Sequence, residues 1–205
     1  MAKIYLISPA QIELKSFSNN LKNALETNLV PVFQLRLKNY ANEELLKIGK
    51  ELRKICHDYN CLFFLNDSYQ MALDVGANGV HLGAEDGSIK NARQNSSSNF
   101  LIGASCYDSR HLAMEAAEQG ADYVSFGAFF PSKTKKSRGN PQPEILTWCE
   151  ELMNIQSVAI GGIDDQNCGV LAKAGADLLA VISYVWQHPE GQGIAVRKLY
   201  EAMNA

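Results

Sequence analysis

Tyr123-Val-Ser-Phe-Gly-Ala-Phe-Phe-Pro-Ser-Lys-Thr-Lys135 reads as a buried strand that runs straight into a polar loop. The first half is apolar and rich in strand formers. The second half carries two hydroxyls and two ammonium groups. A strand that delivers Ser132, Thr134 and Lys135 to one sheet edge makes a seat for a phosphorylated ligand. Lys supplies a point charge, and hydroxyls and loop amides supply directed hydrogen bonds. The plainer reading of the same loop is a solvated surface, so the weight falls on what surrounds it.

The same strand-to-loop pattern recurs through the chain. Period-two and short apolar runs predict strands over Lys3–Ser8, Val32–Lys38, Leu62–Asp67, Gly79–Leu82, Leu101–Ser105, Tyr123–Ala128, Ser157–Gly162 and Leu178–Ser183. Helical periodicity fills the gaps over Ser16–Thr27, Asn42–Tyr59, Tyr69–Val75, Ser88–Gln94, Ser109–Gln119, Pro143–Asn154, Asp165–Ala174 and Ile194–Asn204. Asn42–Tyr59 is the clearest helix, with Leu45, Leu46, Ile48, Leu52 and Ile55 as an apolar stripe among charged residues. Eight alternations in 205 residues imply a parallel sheet covered by helices, and eight is the number that closes a (β/α)₈ TIM barrel. Gly76-Ala77-Asn78, Gly120-Ala121-Asp122 and Gly175-Ala176-Asp177 echo one another, each ending a helix and leading into a strand. No linker interrupts the pattern, so residues 1–205 are read as one α/β domain.

Composition excludes several classes. The net charge of −3 is mild, and neither a basic stripe nor an acidic tail points to nucleic acid. No apolar run approaches the roughly 20 residues of a membrane span, and the first residues lack the form of a signal peptide. The expectation is a cytoplasmic protein without membrane or nucleic-acid partners, compatible with a homo-oligomer. Five widely spaced cysteines, Cys56, Cys61, Cys106, Cys149 and Cys168, fit free thiols better than disulfides or a zinc knot.

In a barrel the chemistry sits at the C-terminal ends of the strands. Those ends collect the polar residues: Gln34, Arg36 and Lys38 at alternating positions, then Asn66 and Asp67, His81 with Glu85 and Asp86, Ser105, Gly161-Gly162 and Ser183. Arg36, Lys38 and Lys135 form a cationic set, and Asp67 and Asp86 are two carboxylates on the same rim. Carboxylates beside phosphate-binding cations make electrostatic sense around Mg²⁺, which commonly takes one or two carboxylates plus phosphate oxygens. That combination favours a pyrophosphate over a single phosphate. The alternative is that Arg36 and Asp67 pair at the rim while Asp86 caps the following helix. Gly162 and Ser183 lie where amides and helix starts attract a second phosphate, although a glycine turn alone needs no ligand. His81 reads as a hydrogen-bonded barrel residue.

The ordered segments Gln34-Leu-Arg-Leu-Lys38, Asn66-Asp67, Gly79-Val-His-Leu-Gly-Ala-Glu-Asp86, Ile102-Gly-Ala-Ser105, Phe126-Gly-Ala-Phe-Phe-Pro-Ser-Lys-Thr-Lys135, Ala159-Ile-Gly-Gly-Ile163 and Ala180-Val-Ile-Ser183 resemble the thiamine-phosphate synthase family over nearly the whole chain. The resemblance implies a transferase that joins a phosphorylated pyrimidine, an aminopyrimidine methyl diphosphate, to a phosphorylated thiazole or its carboxylated form. Pyrophosphate is released by Mg²⁺-assisted, dissociative substitution. By position it implies Asp67 and Asp86 as Mg²⁺ ligands. Gln34, Arg36, Lys38, Asn66 and Lys135 become diphosphate and pyrimidine contacts, and Ser105 lies beside the reacting methylene. Ser132, Thr134, Gly162, Ile182 and Ser183 fall on the thiazole-phosphate side. The chain departs from the family pattern at Leu37, Ser68, Ala84 and the Lys136-Ser-Arg138 tract. A sister thiazole-phosphate tautomerase and a non-catalytic phosphate-binding paralogue are the competing readings, and Phe130–Pro141 has the composition of either a closing lid or a surface loop.

Overall fold

The computed structural model describes residues 1–131 and 138–205. Ser132, Thr134 and Lys135 of the sequence reading therefore lie outside the described residues, as does half of the Phe130–Pro141 loop. Eight strands, β1 (Lys3–Ile7), β2 (Val32–Leu35), β3 (Leu62–Asn66), β4 (Gly79–Leu82), β5 (Leu101–Tyr107), β6 (Tyr123–Gly127), β7 (Gln156–Ile160) and β8 (Leu178–Val181), pair in parallel and in sequence order. β8 returns to β1, closing the (β/α)₈ barrel. The helices are α1 (Leu14–Leu25), α2 (Asn42–Asp58), α3 (Tyr69–Val75), α4 (Ile89–Gln94), α5 (Arg110–Glu118), α6 (Glu144–Leu152), α7 (Cys168–Lys173), α8 (Ser183–Trp186) and α9 (Gln192–Met203).

Because successive strand residues point to opposite faces, the strands feed two separate cores. Outward residues such as Ile4, Leu6, Phe33, Phe63, Leu65, Val124 and Leu179 pack under the helices. From α2 this layer receives Ile48, Leu52 and Ile55. Inward residues Tyr5, Ile7, Val32, Phe64, Tyr123, Val158, Leu178 and Ala180 fill the barrel itself. Room for the rings comes from glycine. A Cβ on Gly79 would stand 2.5 Å from the Phe64 ring, and one on Gly103 would stand 1.9 Å from the Tyr123 ring.

The Gly-Ala-Asn/Asp echo has a structural purpose. Asn78 Oδ1 accepts the Phe63 N–H at 2.8 Å, Asp122 Oδ2 the Ile102 N–H at 2.7 Å, and Asp177 Oδ2 the Ser157 N–H at 2.8 Å. Each side chain thus bonds the start of the preceding strand, tying β3 to β4, β5 to β6 and β7 to β8 at the N-terminal rim. Asp122 also pairs with Arg93, which donates to the Gly120 and Phe100 carbonyls. Asp122→Ala removes one acceptor from a strand amide and one partner from a guanidinium, so an unfolding free energy lower by about 2 kcal/mol is expected in urea titration.

Most element boundaries shift by one to three residues from the sequence reading, and three of the differences bear on the site. β2 stops at Leu35, because the Arg36 N–H donates to Ser8 Oγ (2.8 Å) and the Lys38 N–H to the Ala10 carbonyl (3.0 Å), turning the chain toward the β1–α1 loop. β5 runs on to Tyr107, with a register irregularity between Ser105 and Tyr107. α8, a single turn, occupies residues assigned to the end of β8 and the loop after it; Trp186 Nε1 holds it down by donating to the Ile7 carbonyl at 2.6 Å.

Candidate active site

The C-terminal ends of the strands open into a cavity of about 740 Å³. Of the residues singled out from sequence, Gln34, Arg36, Asn66, Asp67, Asp86, Ser105, Gly162, Ile182 and Ser183 line it. Lys38 does not. Because β2 ends early, Lys38 lines a separate open groove with Gln11, Ile12 and Tyr40, although its charge still reaches Asp67.

Asp67 leaves β3 with φ +72°, a left-handed backbone that Asp tolerates better than most residues. Its amide donates to the His81 carbonyl at 2.9 Å, which fastens the turn to β4. Ser68 caps α3 by accepting the Met71 N–H at 3.2 Å. Asp86 sits in a tight turn after β4, its Oδ2 accepting the Gly83 N–H at 2.9 Å. Ser88 caps α4, so the helix-capping alternative for Asp86 falls away.

Burial and the facing Asp86 carboxylate push the Asp67 carboxyl up to about 6, against partial relief from Arg36 and Lys38. Two carboxylates forced together in this way are an oxygen donor set lacking its positive charge, and they fit a hard divalent cation. Among the described residues no three His, Cys, Asp or Glu side chains converge. A cation held here would therefore complete its shell with waters or ligand oxygens, as Mg²⁺ usually does.

The shift also carries a sign for stability. Between its unfolded value of 3.8 and about 6, folded Asp67 keeps a proton that the unfolded chain has released. Its contribution therefore falls as pH rises through that window. In metal-free protein, Asp67→Asn should gain stability relative to wild type as pH rises from 4 to 7, measured by thermal unfolding at matched ionic strength.

Below the carboxylates lies a polar floor. Asn66 Nδ2 donates to Asp67 Oδ1, Gln34 Nε2 to Asn66 Oδ1, and Tyr5 Oη to Gln34 Oε1 at 2.9 Å. Tyr5 Oη then meets Tyr123 Oη at 2.9 Å, and Tyr123 Oη meets His81 Nδ1 at 2.9 Å. His81 Nε2 meets Ser105 Oγ, also at 2.9 Å. Burial raises both tyrosines well above the usual phenol range and lowers His81 to about 4, so all three are neutral near pH 7. Tyr5 and Tyr123 were not singled out from sequence. In a strand, a tyrosine whose ring is buried reads as core, and only the closed barrel shows both hydroxyls aimed at one centre.

On the far wall the chain turns through Gly161 (φ +110°) and Gly162 (φ +64°). A Cβ on Gly162 would stand 2.5 Å from the Pro131 carbonyl oxygen, so the turn requires glycine. Apolar Val158, Ile160, Ala180 and Ile182 line the cavity on the same β7–β8 side. Beside Asp86, Glu85 pairs with Arg138 at 2.9 Å, so the described cation of the Lys136-Ser-Arg138 tract is neutralised by a rim carboxylate. All five cysteines are buried free thiols, and none lines the cavity.

Comparison with known proteins agrees with this architecture. The family model for thiamine monophosphate synthase matches residues 4–185. A thiamine-phosphate synthase of Rhodospirillum centenum is 43% identical over 201 residues, covering 98% of this chain and 97% of the relative. One of Erythrobacter litoralis is 45% identical over 192 residues, covering 92% and 90%. Among solved structures, a thiamine phosphate pyrophosphorylase from Pyrococcus furiosus superposes with a TM-score of 0.84 at 37% identity, covering 98% of this chain and 95% of that one. A 3-hexulose-6-phosphate synthase shares the fold alone, at 15% identity and a TM-score of 0.73.

Proposed function

The chain belongs to the thiamine monophosphate synthase family and is a transferase of thiamine biosynthesis, and from that premise we propose how its barrel mouth performs the reaction. The substrates are an aminopyrimidine methyl diphosphate and a thiazole phosphate, the products thiamine phosphate and pyrophosphate. The observation that carries the reading is the Asp67–Asp86 pair beside Arg36 at one end of a cavity whose other end is the Gly162–Ser183 wall.

Asp67 and Asp86 would hold Mg²⁺, which when bound supplies positive charge to a departing diphosphate. Arg36 adds a fixed cation on the same side, and the sequence places Lys135 on the loop after β6. Gln34 and Asn66, locked edge to edge, present a rigid polar rim to the pyrimidine. The bond that breaks joins the methylene carbon to the diphosphate oxygen, and the diphosphate keeps the electron pair. The bond that forms runs from the thiazole nitrogen lone pair to the same carbon.

A cationic carbon in between needs three things from the protein: exclusion of water, oxygen atoms nearby, and a nucleophile already in place. The apolar Val158, Ile160, Ala180 and Ile182 serve the first, and Ser105 serves the second. Gly162 and Ser183, with Ser132 and Thr134 from the loop, seat the thiazole phosphate for the third.

Purified protein mixed with both heterocycles should release pyrophosphate, and only with Mg²⁺ present. A flat progress curve with both substrates and metal overturns the reading. Activity unaffected by chelation overturns the role of the two carboxylates.

A further inference from the structure

The hydrogen bonds across the cavity floor form one unbroken series from Asp67 to Ser105. Their direction is fixed from one end. A carboxylate accepts, so Asn66 turns its Nδ2 toward Asp67 and its Oδ1 toward Gln34. Gln34 must then donate through Nε2 and accept through Oε1. The Tyr5 hydroxyl spends its one proton on Gln34, so its oxygen accepts from Tyr123. The Tyr123 hydroxyl has spent its own proton in turn, so the His81 nitrogen facing it must be the N–H. A neutral imidazole with the proton on Nδ1 has a bare Nε2, which only the Ser105 hydroxyl is placed to fill.

We infer that His81 is a positioning residue, held by Tyr123 as the Nδ1–H tautomer so that its Nε2 takes the Ser105 hydroxyl proton and leaves only oxygen lone pairs of Ser105 facing the cavity. Its bearing on catalysis rests on the transferase reading of the mouth. There, a Ser105 oxygen stripped of its proton on the substrate side accepts from an exocyclic amino group or faces a cationic methylene with negative dipole. With the opposite tautomer, Nε2–H would donate to Ser105 and free the hydroxyl proton to point at the developing positive charge.

The test is histidine ¹⁵N NMR on the whole protein near pH 7.5, with His81→Asn assigning its signal among the four histidines. Expected is a protonated Nδ1 and a bare Nε2 at His81. An Nε2–H tautomer or a doubly protonated ring overturns the inference. Tyr5→Phe removes the acceptor of the Tyr123 proton, and Tyr123→Phe removes the acceptor of Nδ1–H. Either change should move the His81 proton to Nε2, whereas Ser105→Ala should leave it on Nδ1. A His81 tautomer indifferent to both phenylalanine variants overturns the series as its cause.

Kinetics give the second readout. Tyr123→Phe should lower kcat about tenfold with KM for the diphosphate substrate little changed, and cost less than about twofold in a Ser105→Ala background. Full additivity overturns the route through Ser105. Wild-type protein with no transferase activity would instead refute the proposed function, and the NMR result would still stand by itself.

Discussion

Asp67→Asn and Asp86→Asn should each lower kcat by on the order of 10³-fold at saturating Mg²⁺ while leaving the protein folded. The two carboxylates lie together on one side of the mouth, and each is held by the backbone: Asp67 by its left-handed turn, Asp86 by the Gly83 amide. Amides in their place keep the shape and lose the charge that would bind a divalent cation. The loss should appear as a raised Mg²⁺ requirement together with a lower rate at saturation. Binding of thiazole phosphate at the opposite wall should change little, because Gly162 and Ser183 follow β7 and β8, across the closed barrel from the β3 and β4 that carry the pair. Asp67→Asn should also be the more stable protein at neutral pH without metal, since it removes a carboxylate that burial and Asp86 penalise. Unchanged turnover in either variant would remove that carboxylate from the reaction.

Gly103→Val should destabilise the barrel by about 3 kcal/mol and abolish activity in the protein that still folds. A Cβ at Gly103 would stand 1.9 Å from Tyr123 Cζ and 2.3 Å from its hydroxyl oxygen, and valine adds two further methyls to that overlap. The strand cannot yield, because β5 is paired on both edges. The ring must therefore leave, taking with it the hydroxyl that joins Tyr5 to His81. Thermal unfolding checks the first part. Adding Tyr123→Ala should recover part of the stability and none of the turnover, which separates lost space from lost hydrogen bonds.

The fold was legible because its signals are local. Short apolar runs, helical stripes such as Ile48, Leu52 and Ile55, and the thrice-repeated Gly-Ala-Asn/Asp step each depend on neighbours within a few residues. Nine of the thirteen site positions singled out from sequence line the cavity, since strand ends in a barrel converge by construction. What stayed hidden depends on distant partners. Nothing near Lys38 signals that Ser8 and Ala10 would capture the backbone after Leu35 and turn that side chain away. Ser-Tyr-Val-Trp is too short to announce a helix, yet the Ile7 carbonyl, nearly the whole chain away in sequence, anchors it. Tyr5, His81 and Tyr123 look like core residues one at a time, and only closure of β1 onto β8 assembles them.

The side chains of Asn78, Asp122 and Asp177 stitch the strands at the rim away from the cavity. The molecule thus keeps its seams and its reactive surface at opposite poles. Drift in the loops that choose a substrate can proceed without loosening the barrel, and repairs to the barrel can accumulate without disturbing the chemistry. Combined variants drawn one from each pole should behave as sums of their separate effects.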